Sequence, residues 1–146
     1  MFRICCIRRN IDMARHLKVG FGFYIGHGTS MVINSRTIIG NNVNLSHFLS
    51  IGTNHETPAL IGDEVYIGPG VCIVEDARIG SRSTIGAGAV VLGHIPPGCT
   101  AAGVPAKVLN SANPARYIVN PYPLPDNGGK AADAANQIRA QGTSQL

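Results

Sequence analysis

Residues 61–96 read IGDEVY, IGPGVC, IVEDAR, IGSRST, IGAGAV and VLGHIP, blocks of six without a break. An aliphatic side chain opens every block: Ile61, Ile67, Ile73, Ile79, Ile85 and Val91. Gly follows it in four of the six, and the fifth place holds Val65, Val71, Ala77, Ser83, Ala89 and Ile95. A period of six fits neither the 3.6-residue turn of a helix nor the two-residue alternation of a strand. It is the period of an all-β parallel β-helix, in which each block supplies one short strand and one corner. The first position fills the core, and the small fifth position sits where the prism narrows. Gly and polar residues turn the corners.

Working outward, Val19 and Ile25 open two earlier blocks, and two extra residues follow Ser30. Ile33, Ile39, Leu45 and Ile51 then keep the six-step. From Ile51 to Ile61 the step is ten, so about four residues loop out around His55, Glu56, Thr57 and Pro58. Three blocks make one turn, which predicts about four to five coils. Insertions in a solenoid fall at corners, and corner loops are where sites are built. Beyond Val91, Pro96-Pro97 is expected to break the strand ladder, and Gly103 to Lys107 to form a tight turn and a last extended segment. Residues 1–109 read as the β-helix domain, with 1–10 as its N-terminal cap. Residues 110–146 read as a C-terminal extension. Its first part is expected to run along the coils or a neighbouring subunit, with Tyr117, Ile118 and Tyr122 as packing points. Residues 126–146 are expected to be a weakly ordered tail, with at most a short helix over 130–140.

The bulk composition agrees with a thin aliphatic core. The 146 residues are 45% hydrophobic, with 18 Gly, 9 Pro and no Trp. The net charge is +4, and several cations cluster near the start: Arg3, Arg8, Arg9, Arg15 and Lys18. A nucleic-acid partner is not expected, because 4 Phe and 4 Tyr do not interleave a basic face. A polyanionic small molecule such as a nucleotide cofactor accounts for a mild positive balance. Cys5, Cys6, Cys72 and Cys99 form no CxxC pair. Free thiols and no metal are therefore expected. The start, MFRICCIRRN, is too short and too Arg-interrupted for a signal peptide, and no stretch is long enough to span a bilayer. The expected placement is cytoplasmic, without membrane contact.

Ile61 to Leu109 resembles the hexapeptide-repeat acyltransferases, and the run IGAGAVVLGHIPPGCTAAGVPAKVL carries most of the likeness. Upstream, GFGFYIGHGTSMVIN and IIGNNVNLSHFLSIG resemble serine O-acetyltransferases and their shorter sugar-acetylating relatives. The resemblance covers about residues 11–109. It implies a left-handed β-helix, a homotrimer and acetyl-CoA as donor.

Acyl transfer from a thioester to an alcohol needs a base for the hydroxyl proton, a donor for the developing oxyanion and a slot for the long pantetheine arm. No Gly-x-Ser-x-Gly elbow or Ser/His/Asp triad is visible, which favours direct transfer. His27 sits at a corner between Gly26 and Gly28, which leave room for a substrate. The resemblance puts it on the catalytic histidine, and puts Asp12, fifteen residues upstream, on the aspartate that orients that histidine. His55 is a second candidate from the ten-residue step, although alignment puts Pro58 on the family's second histidine. His47 and His94 fit outward-facing corners, and His16 a terminal surface. Gly68, Pro69, Ala87 and Gly88 match the groove for the pantetheine arm. Gly52 or Thr53 is the candidate oxyanion N–H. Pro105, Ala106 and Lys107 match the adenine end, with Lys107 facing a CoA phosphate. Corner geometry alone explains each glycine equally well.

The family's charged holders of an amino acid are missing: their positions read Gly26 and Thr57. A zwitterion without charged partners is poorly held. The expected acceptor is therefore a sugar hydroxyl in surface-polysaccharide synthesis. Serine, in cysteine biosynthesis, is the alternative acceptor, and a non-catalytic β-helical scaffold is the alternative of a different class.

Overall fold

The computed structural model describes residues 8–53, 57–74, 76–112 and 114–124. The start of the expected cap, His55 and the tail beyond Leu124 lie outside the described residues. Each hexapeptide becomes a short strand and a corner. The first coil holds β1 (Ile11–Met13), β2 (Lys18–Val19) and β3 (Tyr24–Ile25). The second holds β4 (Met31–Ile33), β5 (Ile38–Ile39) and β6 (Asn44–Leu45), and the third β7 (Ser50–Ile51), β8 (Leu60–Ile61) and β9 (Tyr66–Ile67). The fourth holds β10 (Cys72–Ile73), β11 (Arg78–Ile79) and β12 (Thr84–Ile85). The fifth holds β13 (Val90–Val91), β14 (His94–Ile95) and β15 (Thr100–Ala102), followed by β16 (Lys107–Asn110).

The strands stack into three parallel faces. The first is β1-β4-β7-β10-β13, the second β2-β5-β8-β11-β14, and the third β3-β6-β9-β12-β15 with β16 added antiparallel to β15. The result is a left-handed parallel β-helix. Each backbone N–H points up or down the stack, as in Gly68 N–H to the Ile85 carbonyl at 2.9 Å, so two-residue strands suffice to pair the backbone groups. Inside, residues in register form columns: Ile25, Leu45, Ile67, Ile85 and Ala101 line up on the third face. Leu45, Ile67 and Ile85 are fully buried, each worth about 1.5–3 kcal/mol of hydrophobic burial. The fifth-place residues Val65, Val71, Ala77, Ser83 and Ala89 are also buried.

The corner between the second and third faces explains the glycine that follows the aliphatic. A Cβ on Gly62 would lie 2.6 Å from Ser81 N and 2.9 Å from Ser81 Cα. The next coil's backbone occupies that space, so a side chain is excluded whatever its rotamer. At the same corner each coil's side chain accepts from the backbone of the coil before. Asn41 Oδ1 accepts from Phe21 N–H at 2.9 Å, Asp63 Oδ1 from Asn41 N–H at 2.7 Å, and Ser81 Oγ from Asp63 N–H at 3.0 Å.

Three expectations change. The helix begins one strand earlier than the Val19 block, because Ile11–Met13 pairs in parallel with Met31–Ile33. Ile95 is not a fifth-place residue: it is the inward residue of a strand of its own, β14, in register with Ile79, and is buried. Its corner has lost two residues, leaving Leu92 and Gly93 between β13 and β14. Pro96-Pro97 does not break the ladder. The pair sits at the following corner, where lower coils donate N–H to the next coil, as Gly80 does to the Ile95 carbonyl; β14 ends the second face, so no coil follows to accept from the prolines, and β15 then resumes parallel pairing with β12. The Pro96 carbonyl accepts the buried Ser83 hydroxyl at 2.9 Å.

Residues 114–124 run back down the third face as a strap, as the packing points suggested. Ala115 N–H donates to Arg82 O at 2.7 Å, and the Tyr66 and Tyr117 rings lie 4.7 Å apart. Asn42 holds Tyr122 at both backbone groups: Oδ1 accepts its N–H at 2.8 Å and Nδ2 donates to its carbonyl at 3.2 Å. Cys72 and Cys99 are free thiols.

Candidate active site

The corner between the third and first faces carries the chemistry-bearing side chains. His27 follows β3 at φ 52°, a left-handed conformation at the tip of a tight turn, and it is exposed. Gly28 beside it lets the turn close on the core: a Cβ there would meet Ile25 Cγ2 at 2.8 Å and Ile11 Cδ1 at 3.3 Å. One coil on, after β6, the same corner holds His47. The two imidazole rings lie 6.1 Å apart between centroids and perpendicular. Phe48 also packs against the His47 ring, at 4.9 Å and 71°. Nδ1 of His47 is buried and has no hydrogen-bond partner among the described residues.

Further up the edge come Pro69, after β9, and Ala87, after β12. The levels are tied by Phe48 N–H to Thr29 O at 3.1 Å, Gly70 N–H to His47 O at 3.0 Å, and Gly88 N–H to Pro69 O at 2.8 Å. Gly68, Pro69, Gly86 and Ala87 line a cavity of about 280 Å³, together with Arg116 and Tyr117 of the strap. Thr84 lines it too, and its Oγ1 is buried without a hydrogen-bond partner. A Cβ on Gly68 would lie 2.8 Å from Ala87 N, so the coils touch there without side chains between them. Gly88, at φ 67°, turns the corner beside Ala87. At the top of the same edge, Gly103 to Ala106 lead into β16, and Ala106 N–H donates to Val90 O at 2.8 Å. Pro105 and Lys107 are exposed there. A larger cavity of about 480 Å³ lies between the strap and Tyr24, Asn42 and Asn44, away from the histidine edge.

The remaining candidates lie elsewhere. Asp12 is exposed on β1, and among the described residues no hydrogen bond or ion pair is seen between it and His27. Gly52 follows β7, on the corner between the first and second faces. Its N–H donates to Ile73 O at 3.0 Å, so that donor belongs to the ladder and is not open to an oxyanion. Thr53 Oγ1 donates to Thr57 O at 3.3 Å. Among the described residues no three His, Cys, Asp or Glu side chains gather as metal ligands.

His47 is the residue that sequence reasoning passed over. The signal was countable: His27, His47, Pro69 and Ala87 each stand two places after the aliphatic of a third-face strand, Ile25, Leu45, Ile67 and Ile85.

Residues 58–93 match the family model of the bacterial transferase hexapeptide, six repeats. The mitochondrial serine acetyltransferase 3 of Arabidopsis thaliana is 39% identical over 103 residues, which cover 68% of this chain and 26% of that protein. The serine acetyltransferase of Mycobacterium tuberculosis is 30% identical over 135 residues, covering 88% of this chain and 58% of that one. In three dimensions, the Brucella abortus serine acetyltransferase in complex with coenzyme A overlays with a TM-score of 0.66 at 28% identity, across 70% of this chain and 42% of that one. The chain thus spans between 26 and 58% of the length of the two curated relatives.

Proposed function

Because this chain belongs to the hexapeptide-repeat acyltransferase superfamily, we propose that it is an O-acetyltransferase that uses acetyl-CoA. One observation carries the reading. A single edge of the prism has His27 and His47 at one end, the cavity of Gly68, Pro69 and Ala87 along it, and Lys107 at the other. From the first coil to the fifth this edge rises four strand spacings, roughly 19 Å at about 4.8 Å each. An elongated donor fits such an edge. The bare corner at Gly68 allows close approach. Bound there, acetyl-CoA supplies an acyl carbon activated as a thioester. His27 then takes the proton of the acceptor hydroxyl as its oxygen attacks, and returns it to the departing sulfur. Asp12, on the strand that abuts this corner through Ile11, is the proposed orienting carboxylate.

The acceptor proposed first is L-serine, on the names of the relatives. The sugar expected from Gly26 and Thr57 becomes the second reading. It keeps one specific support: a Cβ on Gly26 would meet Tyr24 Cε1 at 3.2 Å, so Tyr24 crowds the place of the family's acidic side chain. Release of free thiol from acetyl-CoA, with L-serine beside a panel of sugars and nucleotide sugars, separates the two. Turnover with serine is expected. Turnover with a sugar alone would reverse the order, and failure to bind acetyl-CoA would leave the scaffold.

We also propose a homotrimer. His27 and His47 stand on one edge of the prism and Gly52, at the start of the ten-residue step, on another. One copy cannot bring its own two edges together, whereas a neighbour's edge can complete the site. Sedimentation is expected to give three copies of the 15.3 kDa chain, and a stable monomer at micromolar concentration would rule out a shared site.

A further inference from the structure

We propose that His47 donates a hydrogen bond from Nε2–H to the acceptor oxygen held by His27. The inference rests on the acetyltransferase reading above and assigns a role within that site.

Three observations support it. The perpendicular rings of His27 and His47, 6.1 Å apart, face one another across adjoining coils. An oxygen at about 2.8–3.0 Å from a nitrogen of each ring fits between them. The Phe48 ring, 4.9 Å from the His47 ring, limits its rotation. Nδ1 of His47 is sealed from solvent without an acceptor. A proton there would be a buried N–H with nothing to donate to, which costs about 1–3 kcal/mol. Orphaned N–H groups are rarer than orphaned acceptors for that reason. A neutral ring therefore carries its proton on Nε2, and His47 as a whole is only half-buried.

In that tautomer His47 has no accessible lone pair and cannot act as the base. His27 is the base, and His47 holds the same oxygen from the side. The acceptor O–H points at His27, and one of its lone pairs accepts the Nε2–H of His47. The other lone pair is directed at the acyl carbon. As the C–O bond forms, the hydroxyl proton passes to His27, the C–S bond breaks, and the sulfur receives that proton. His47 gives up none. A neutral donor of this kind holds a hydroxyl irrespective of the charges elsewhere on the acceptor.

Glutamine and asparagine separate this role from packing. The amide nitrogen of Gln reaches the place of Nε2, and that of Asn the place of Nδ1. With acetyl-CoA and whichever of L-serine or the sugar panel turns over, His47→Leu and His47→Asn are expected to lower kcat by about 10²-fold, the lower end of the range for one lost donor. The KM for acetyl-CoA should stay within about twofold, and His47→Gln should recover most of kcat. Unchanged kcat in His47→Leu, or equal recovery by Asn and Gln, would overturn the inference. Nitrogen-15 shifts of the histidine rings test it without any acceptor: Nε2–H is expected for neutral His47, and Nδ1–H would overturn it. His27→Ala in the same assay keeps the two failures apart. If it retains turnover, the underlying reading fails. If it is inactive while His47→Leu is unaffected, only the present inference does.

Discussion

Replacing His27 by Ala is expected to lower turnover by about 10²- to 10⁴-fold, the range of a positioned general base, equivalent to roughly 3–5.5 kcal/mol of transition-state stabilisation. The fold should survive the change. His27 is exposed at a turn tip and adds nothing to the aliphatic columns. Ala is less suited than His to no part of the core there, and the cost is confined to one left-handed position. Thiol release from acetyl-CoA reads the loss, and a melting curve alongside shows the retained fold. Full activity in the variant would remove His27 as the base and, with it, the main reason to read this edge as a catalytic site.

Ile67→Ala is the second large effect, and it falls on stability. Ile67 is fully buried between Leu45 and Ile85 in the third-face column. Its own strand is fixed from above and below, by Gly68 N–H to Ile85 O at 2.9 Å and Ser46 N–H to Ile67 O at 3.0 Å. The space left by three carbons cannot close by a shift of the coil without straining those bonds. A cost of about 2–5 kcal/mol is expected, the range for buried Ile or Leu to Ala. Urea unfolding checks it through the midpoint at constant slope. A change below about 1 kcal/mol would show that the coils can slide together and that the ladder is softer than its geometry.

Much of this was legible in the residues because a β-helix writes its geometry locally. The clean phase from Ile61 to Val91 fixes strands, corners and inward columns at once, and the strands from Tyr66–Ile67 to Val90–Val91 fall where the phase puts them. The phase fails at the ends, where corners change length. Ile95 looked like a small fifth-place residue because a six-step was assumed, while the corner before it had shortened by two. Pro96-Pro97 suggested a break because proline lacks an N–H, yet β14 is the last strand of its face and no coil follows to accept one. Ile11–Met13 was missed although Met13 stands six places before Val19, because no glycine follows it and an aspartate precedes it. At the site, His27 was legible from its glycines and its motif. His47 was not, because its partner in space is twenty residues away and becomes visible only when levels of the same corner are counted. The strap's contact with Asn42 joins positions 80 residues apart, and no local pattern announces it.

A stack of parallel coils has no intrinsic length. The last coil offers the same row of open N–H and C=O groups that recruited it, so such a molecule is one register away from growing into a fibre. The hairpin from Thr100–Ala102 into Lys107–Asn110 reverses the chain on the third face. It fills that open edge with a strand running the wrong way for another coil to follow. Termination is thus a matter of direction, and the turn that gives the histidine edge its upper end also limits the solenoid to a discrete particle.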